Sequence, residues 1–330
     1  MSVPKIVVVT YPGFDSADPQ TAGILRERGF AIRFAPRTVE RTADDVVELM
    51  EGATAGIIST DPFDATVFAR CPDLRVLARI GVGLDTVDID AATGAGVAVT
   101  ITPDVNIATV ADHTLALMLA CCRRVLENDR STRSGSWDRG GALNGTDLTG
   151  ATVGIIGLGA IGLAVARRLA GFEVTLLGTD VPGVSSELVE RVDLDDLLRR
   201  ADIVTLHVPL TPATRGLIGA RELGLMPSHA ILVNTSRGGV VDEQALATVL
   251  RESRLASAGL DVFAREPPIG SPLLEFERVV VSPHIAGISV RTQQVMLTMA
   301  VAAVIDVVDG REPAGLVNLD ALSAQREPAL

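Results

Sequence analysis

Three positions in the last third of the chain carry side chains that could move a proton and hold an anion. Arg237 is followed by two glycines, Glu266 precedes a Pro-Pro pair, and His284 follows Ser282-Pro283. Histidine exchanges protons near neutral pH. A carboxylate on its second ring nitrogen would fix the tautomer and raise its pKa, and a guanidinium binds a carboxylate with two parallel hydrogen bonds. Alone, Arg237 could be a solvated turn residue and Glu266 a solvated loop acid; together, the three predict a proton-transfer site.

The elements that would position these residues begin at a glycine-rich turn in mid-chain. An apolar run, 152–156, leads into Gly157-x-Gly159-x-x-Gly162, and a helical pattern follows at once. Gly157 allows a tight turn, Gly159 lets the backbone approach a pyrophosphate, and Gly162 lets the helix pack on the strand. The helix N-terminus then offers N–H groups to the phosphates. A second predicted strand ends at Asp180, which would bind a ribose 2′-hydroxyl and repel a 2′-phosphate, so NAD is favoured over NADP. The alternative is a glycine-rich turn in an ordinary α/β protein.

The remaining histidines are less suggestive of catalysis. His113 falls inside a long predicted helix, where an interior hydrogen-bonded role is expected. His207 ends a strand before Pro209 and could line a cofactor, and His229 lies in a loop.

Composition excludes several classes of function. The 330 residues suggest about two domains, and the net charge of −12 without a basic run argues against nucleic acid or an anionic membrane as partner. The start of the chain lacks the pattern of a signal peptide, and the apolar runs 115–122 and 295–305 are shorter than a membrane span. Cys71, Cys121 and Cys122 fit neither a disulfide framework nor a metal site, which favours buried thiols in a cytoplasmic protein.

Strand and helix patterns alternate along the chain, which is typical of parallel sheets wrapped by helices. A long helix is predicted over 109–126, with a capping box at Thr109 and Asp112, followed by a polar connection, 127–150. The last predicted helix, 289–309, comes after the strands of the glycine-rich half and could return to the first domain. Periodicity leaves two organisations open: a discontinuous first domain, or two parts divided near residue 145.

Five ordered motifs resemble those of the D-isomer-specific 2-hydroxyacid dehydrogenases, over nearly the whole chain. They are Gly157–Gly162 with Asp180, His207–Pro212, Asn234–Asp242, Gly259–Pro268 and Ser282–Gly287. The resemblance implies an α/β fold with two doubly wound parallel-sheet domains. A Rossmann NAD-binding domain, 101–287, would be inserted in a discontinuous flavodoxin-like substrate domain, 1–100 and 288–330. It also implies an active-site cleft between the domains and a homodimer.

The same resemblance assigns roles to individual residues. Arg237 would bind substrate, Glu266 would tune the histidine, and His284 would transfer the proton. Substrate contacts are implied for Arg79, Gly81, Val82 and Gly83. NAD contacts are implied for Val82, Gly157, Gly159, Ala160, Ile161, Gly162, Asp180, His207, Pro209, Thr235, Asp261 and Gly287. No metal is expected.

Substrate identity depends on less specific signals. Arg79 matches an arginine of 3-phosphoglycerate dehydrogenases, so 3-phosphoglycerate or a similar phosphorylated or phosphonate acid is predicted, in a protein resembling the short form of that subgroup. Departures from the family pattern occur at Ile101, Asp112 and Gly178-Thr179. A glyoxylate or hydroxypyruvate reductase is the alternative within the class. An NAD-sensing, corepressor-like binding protein is the alternative outside it.

Overall fold

The chain folds into two compact units. The computed structural model describes residues 5–141, 143–184 and 186–321. One unit, the first unit, comprises the chain up to Asn106 together with the chain from Ser289 onward, and the other, the inserted unit, is Ile107–Ile288. The first boundary follows Asn106 rather than residue 100, because the backbone beyond the fifth strand still bonds within the first unit: Ile101 N donates to Gly315 O at 2.9 Å.

The first unit is built on a five-stranded parallel sheet of order β2-β1-β3-β4-β5. This is the flavodoxin-like order that the family resemblance implied for this unit. β3 and β4 are buried along their whole length, as expected for strands covered on both faces. The strands are β1 Lys5–Val9, β2 Phe30–Phe34, β3 Ala55–Ile58, β4 Val76–Arg79 and β5 Ala98–Thr100. The helices are α1 Ile24–Glu27 (after a π-helical turn, Pro19–Gly23), α2 Ala43–Met50, α3 Ala65–Arg70 and α4 Ile89–Gly94.

A long helix that follows the inserted unit returns to this unit and makes it discontinuous. This helix, Val290–Val308, is capped by Ser289, whose Oγ accepts the Thr292 N–H at 3.2 Å. By length and apolar composition it could cross a membrane, but about half of it is buried against the β3–β4 region of the sheet. Its buried side chains, among them Met296 and Val304, belong to the core of the first unit, as in the core helix of a globular domain.

The inserted unit has a seven-stranded parallel sheet of order β12-β11-β10-β9-β6-β7-β8. Counted from its own first strand, this is the 3-2-1-4-5-6 order of a Rossmann fold with one strand added. The strands are β6 Thr152–Ile156, β7 Thr175–Thr179, β8 Glu190–Arg191, β9 Ile203–Leu206, β10 Ile231–Asn234, β11 Ser257–Leu260 and β12 Val279–Val281. The helices are α5 Ile107–Cys122, α6 Val125–Arg133, α7 Ala160–Leu169, α8 Leu194–Arg200, α9 Ala220–Leu225 and α10 Glu243–Arg251, so that Val290–Val308 is α11.

The predicted helix over 109–126 was wrong in its end and in its cap. α5 stops at Cys122, Arg124 takes a left-handed conformation with φ 51°, and α6 occupies part of the segment expected to be a polar connection. The Thr146 N–H bonds to Cys122 O at 2.8 Å, so a later loop satisfies the end of α5. Asp112 forms no cap and instead accepts a 2.6 Å hydrogen bond from Arg168 Nε of α7. Local periodicity does not reveal a charge partner such as Arg168, which is distant in sequence.

The three cysteines are free and buried. Burial raises the pKa of Cys121 to about 12 and that of Cys122 to about 11. These two thiols are therefore poor nucleophiles at neutral pH.

Candidate functional site

The three candidate catalytic residues follow three neighbouring strands of the inserted unit. Arg237 comes after β10, Glu266 after β11 and His284 after β12, and these strands are adjacent in the sheet. Because all the strands are parallel, their carboxyl ends share one edge, where ligands of open α/β sheets bind. Residues spread over the chain from 237 to 284 are thus brought to one place by topology.

His284 and Glu266 form a hydrogen-bonded pair, with 2.7 Å between Nδ1 and Oε2. Burial raises the pKa of Glu266, but the hydrogen bond and charge of His284, with the Phe263 N–H and the charge of Arg237, outweigh it and leave the pKa below its usual value. The carboxyl group is therefore ionised at neutral pH and only accepts hydrogen bonds. It follows that Nδ1 of His284 carries a hydrogen, which leaves Nε2 for proton exchange with a ligand.

The loop that carries His284 has an unusual backbone. His284 has φ 54°, and its N–H donates to Asp261 O at 2.8 Å. The carboxylate of Asp261 is fully buried and accepts the N–H groups of Ile285 (2.9 Å) and Ala286 (2.7 Å). Asp261 therefore holds this loop in shape, while its expected contact with the cofactor stays a prediction.

Arg237 is presented by a tight polar turn. Asn234 Oδ1 accepts the Ser236 N–H at 3.0 Å, and Asn234 Nδ2 donates to Arg237 O at 2.9 Å. A Cβ atom at Gly238 would lie 1.8 Å from the carbonyl carbon of Phe263. Only glycine fits there, so the Arg237 turn packs directly on the backbone of the Glu266 loop. This close approach explains why the charge of Arg237 contributes to the low pKa of Glu266.

The glycine-rich turn has the shape of a pyrophosphate cradle. A Cβ atom at Gly157 would lie 2.4 Å from His207 O, and one at Gly162 would lie 2.0 Å from Gly157 O, so both glycines are required by packing. A Cβ atom at Gly159 would meet nothing within 4 Å, which leaves space where phosphate oxygens would approach. Ala160 and Ile161 open the ten-residue helix α7, and the N–H groups of its first turn suit an anion. The residues therefore fit a dinucleotide.

Asp180 follows β7 beside this turn. Its Oδ2 accepts the Leu158 N–H and its Oδ1 accepts the Val181 N–H, both at 2.6 Å. Each carboxylate oxygen keeps a second lone pair for a ribose hydroxyl. Arg191 Nη2 donates to the carbonyl oxygens of Asp180 (2.8 Å) and Val181 (3.0 Å). No motif or periodicity marks Arg191, because β8, which places it there, is only two residues long.

Other candidate cofactor residues lie at the same sheet edge or in the adjacent loops. His207 follows β9, its Nε2 is 3.0 Å from Thr205 Oγ1, and burial lowers its pKa to about 3, so the imidazole is neutral. Thr235 is buried, with its Oγ1 2.8 Å from Thr114 Oγ1. Pro209 and Gly287 follow β9 and β12 in sequence. In the part of the chain that the structure describes, no group of three or more His, Cys, Asp or Glu side chains could hold a metal ion.

The candidate substrate turn lies in the first unit, directly after β4. Gly81 has φ 123°, a conformation that favours glycine, and its N–H donates to Thr102 Oγ1 at 2.9 Å. Arg79 is 8% exposed, and its Nε donates to Gly83 O at 3.2 Å, so its guanidinium braces the turn from within. Val82, at the tip, is 39% exposed.

Comparison with known proteins gives one consistent family. A model described as "D-isomer specific 2-hydroxyacid dehydrogenase, NAD binding domain" matches residues 115–286. The glyoxylate reductase of Korarchaeum cryptofilum is 45% identical over 274 residues, covering 81% of this chain and 82% of that protein. The D-3-phosphoglycerate dehydrogenase of Mycobacterium leprae is 45% identical over 239 residues, but these cover 71% of this chain and only 45% of that protein. Among solved structures, the TT0316 protein of Thermus thermophilus is 38% identical with a TM-score of 0.86, covering 94% of this chain and 99% of that chain.

Proposed function

Because the chain belongs to the D-isomer specific 2-hydroxyacid dehydrogenase family, we propose that it transfers hydride between NAD and a D-2-hydroxy acid or its 2-keto acid, with 3-phosphoglycerate or a similar phosphorylated or phosphonate acid as substrate. The observation that carries the reaction type is the His284–Glu266 pair, beside Arg237, at the carboxyl edge of a dinucleotide-binding sheet.

Each residue of the site has its own role in the proposed reaction. Bound NAD would supply or accept the hydride. Nε2 of His284 takes the hydroxyl proton during oxidation and returns it to the carbonyl oxygen during reduction. Glu266 holds the Nδ1 hydrogen and stabilises the imidazolium that forms. Arg237 binds the substrate carboxylate and polarises the carbonyl.

The phosphorylated substrate is supported by Arg79 and by the similarity to phosphoglycerate dehydrogenases. The second candidate, a glyoxylate or hydroxypyruvate reductase, is favoured by a different observation: the alignment to the Korarchaeum glyoxylate reductase spans most of that protein. A panel of pyruvate, glyoxylate, hydroxypyruvate and 3-phosphohydroxypyruvate, followed by NADH absorbance, compares the two. We expect the highest kcat/KM with 3-phosphohydroxypyruvate.

A variant of Arg79 would distinguish a phosphorylated substrate from glyoxylate more clearly than the substrate panel alone. We expect Arg79→Ala to raise KM for 3-phosphohydroxypyruvate about 10- to 100-fold, the value of a lost charge-assisted hydrogen bond. KM for glyoxylate should rise far less, because glyoxylate would lose only the support that Arg79 gives to the Gly81–Gly83 turn. Arg79→Lys, which keeps a positive charge in this buried position, is the matched control and should lose less. Equal losses with both substrates would mean that Arg79 only braces the Gly81–Gly83 turn, and phosphate recognition would be rejected.

The alternative outside the enzyme class is an NAD-sensing binding protein. The paired His284 and Glu266 argue against it, because a sensor needs no group placed for proton exchange. Steady NADH oxidation with any 2-keto acid of the panel, in the absence of a protein partner, would exclude it.

We propose a homodimer in the cytoplasm as the working form. α6 has no buried residue, and Val125, Leu126 and Trp137 are exposed by 48%, 37% and 79%. We take these exposed apolar side chains as part of the proposed dimer interface. Sedimentation should therefore give twice the 34.5 kDa chain mass, and Trp137→Glu should shift the mass to that of one chain. A wild-type chain that sediments as a monomer at micromolar concentration would refute the dimer.

A further inference from the structure

We propose that His113 is a positioning residue for His284 and acts through Ser282 and Asp261. His113 belongs to α5, far from His284 in sequence, and neither composition nor the family motifs assign it a function. The inference rests on the proposed role of His284 in proton transfer. It extends that role to a side chain that need not touch substrate or cofactor.

The contact that carries the inference lies at the start of the His284 loop. His113 Nε2 is 2.8 Å from Ser282 Oγ, and Ser282 Oγ donates to Asp261 Oδ1 at 2.5 Å. His113 Nε2 is itself 3.6 Å from Asp261 Oδ1. Asp261 is fully buried, whereas the His113 side chain keeps 24% exposure. The chain of contacts therefore runs from a partly exposed imidazole to a buried carboxylate.

The direction of these hydrogen bonds follows from counting hydrogens. Both oxygens of Asp261 accept backbone N–H groups, those of Ile285 and Ala286, so Asp261 acts as the acceptor toward Ser282 as well. The Ser282 hydroxyl has one hydrogen, which it gives to Asp261, and can only accept from His113. Nε2 of His113 must therefore carry a hydrogen, and the order is His113 to Ser282 to Asp261.

This order links α5 to the backbone of the catalytic loop. Asp261 O accepts the N–H of His284, and Ser282 N–H donates to Leu260 O at 2.9 Å, so residues 282–286 wrap around Asp261. His284 stays in a left-handed conformation, which costs a non-glycine residue energy and persists only when its surroundings fix it. Without the hydrogen that His113 donates, Ser282 Oγ would lose a hydrogen-bond partner, and the position of His284 would be less well fixed.

The next residue of α5 supports the same interpretation. Thr114 Oγ1 is 2.8 Å from Thr235 Oγ1, two residues before Arg237, and Thr114 is fully buried. One turn of the sixteen-residue helix α5 therefore contacts both the Arg237 turn and the His284 loop. A helix is stiff, so this turn fixes the separation of the two loops.

The test uses variants of His113 that differ only in their ability to donate. His113→Leu removes the donor, and we expect kcat to fall about 10- to 100-fold, as for small misplacements of reacting groups. KM and the Kd for NADH, measured by fluorescence quenching, should stay within about twofold, since no ligand contact is lost. His113→Gln places an amide N–H near the position of Nε2 and should recover most of kcat. His229→Leu is the matched control, because His229 makes a 2.8 Å contact with Asp202 in an exposed loop; its kcat should not change.

A double-mutant cycle tests the route through Ser282. If His113 acts through Ser282, then His113→Leu and Ser282→Ala should each lower kcat, and the double variant should be little worse than either. Additive losses, an unchanged kcat in His113→Leu, or a loss in His113→Gln equal to that in His113→Leu would overturn the proposal. Failure of the proposed function is distinguishable, because it would appear as retained turnover in a variant of His284 itself.

Discussion

Replacing His284 with Gln is expected to lower kcat in both reaction directions by about 10²- to 10⁴-fold, the usual contribution of a positioned acid–base group. Glutamine can still bond to Glu266, but it cannot take up or release a proton near neutral pH. NADH binding should be unchanged, because the proposed partner of His284 is the substrate oxygen, whereas the glycine-rich cradle after β6 would hold the cofactor. Stopped-flow or steady-state NADH absorbance gives kcat, and fluorescence titration gives the Kd.

Glu266→Gln provides a graded comparison for His284. Its carboxylate only orients and stabilises the imidazole, so we expect a smaller loss than for His284→Gln. The lowered pKa of Glu266 means that its ionised form also stabilises the fold. That stabilisation is complete above the ordinary pKa of glutamate and is lost as pH falls through the lowered value. His284→Gln with near-wild-type turnover on every acid of the panel would reject the catalytic assignment.

The second large effect is expected at Arg237. Arg237→Lys keeps the charge but loses the planar pair of donors, so we expect kcat/KM to fall about 10²- to 10³-fold, with both a higher KM and a lower kcat. The higher KM reflects weaker binding of the carboxylate. The lower kcat reflects a carbonyl that is less polarised and less well placed. Initial rates over a range of 2-keto acid concentrations separate the two.

An exposed arginine serves as the control for Arg237. Arg254 is half exposed and pairs with Glu252 at 2.8 Å, and such surface pairs contribute little to stability. Arg254→Lys should therefore leave both constants unchanged. If Arg237→Lys behaved like Arg254→Lys, the guanidinium would have no part in substrate binding and the proposed arrangement would have to be abandoned.

The comparison of sequence with structure shows which signals are local. The glycine-rich turn was recognisable because its glycine spacing is a local motif, although the structure shows that Gly157 is confined by the distant His207 O and only Gly162 by an atom of the turn itself, Gly157 O. The strand–helix alternation likewise predicted two parallel sheets, since strands buried on both faces are apolar throughout. The end of α5 before Arg124 and the two-residue strand β8 were not predicted, because both depend on partners elsewhere in the chain.

The sequence by itself determined the kinds of group available and the edge of the sheet at which they gather. Arg237, Glu266 and His284 follow three apolar runs, and parallel strands bring their carboxyl ends together. Only the tertiary structure decided how these groups act on one another. It places Glu266 on Nδ1 of His284, lets Gly238 bring Arg237 close enough to lower the Glu266 pKa, and sets His113 against Ser282. These relations depend on distances of a few ångströms between distant segments, which periodicity and motif spacing do not encode.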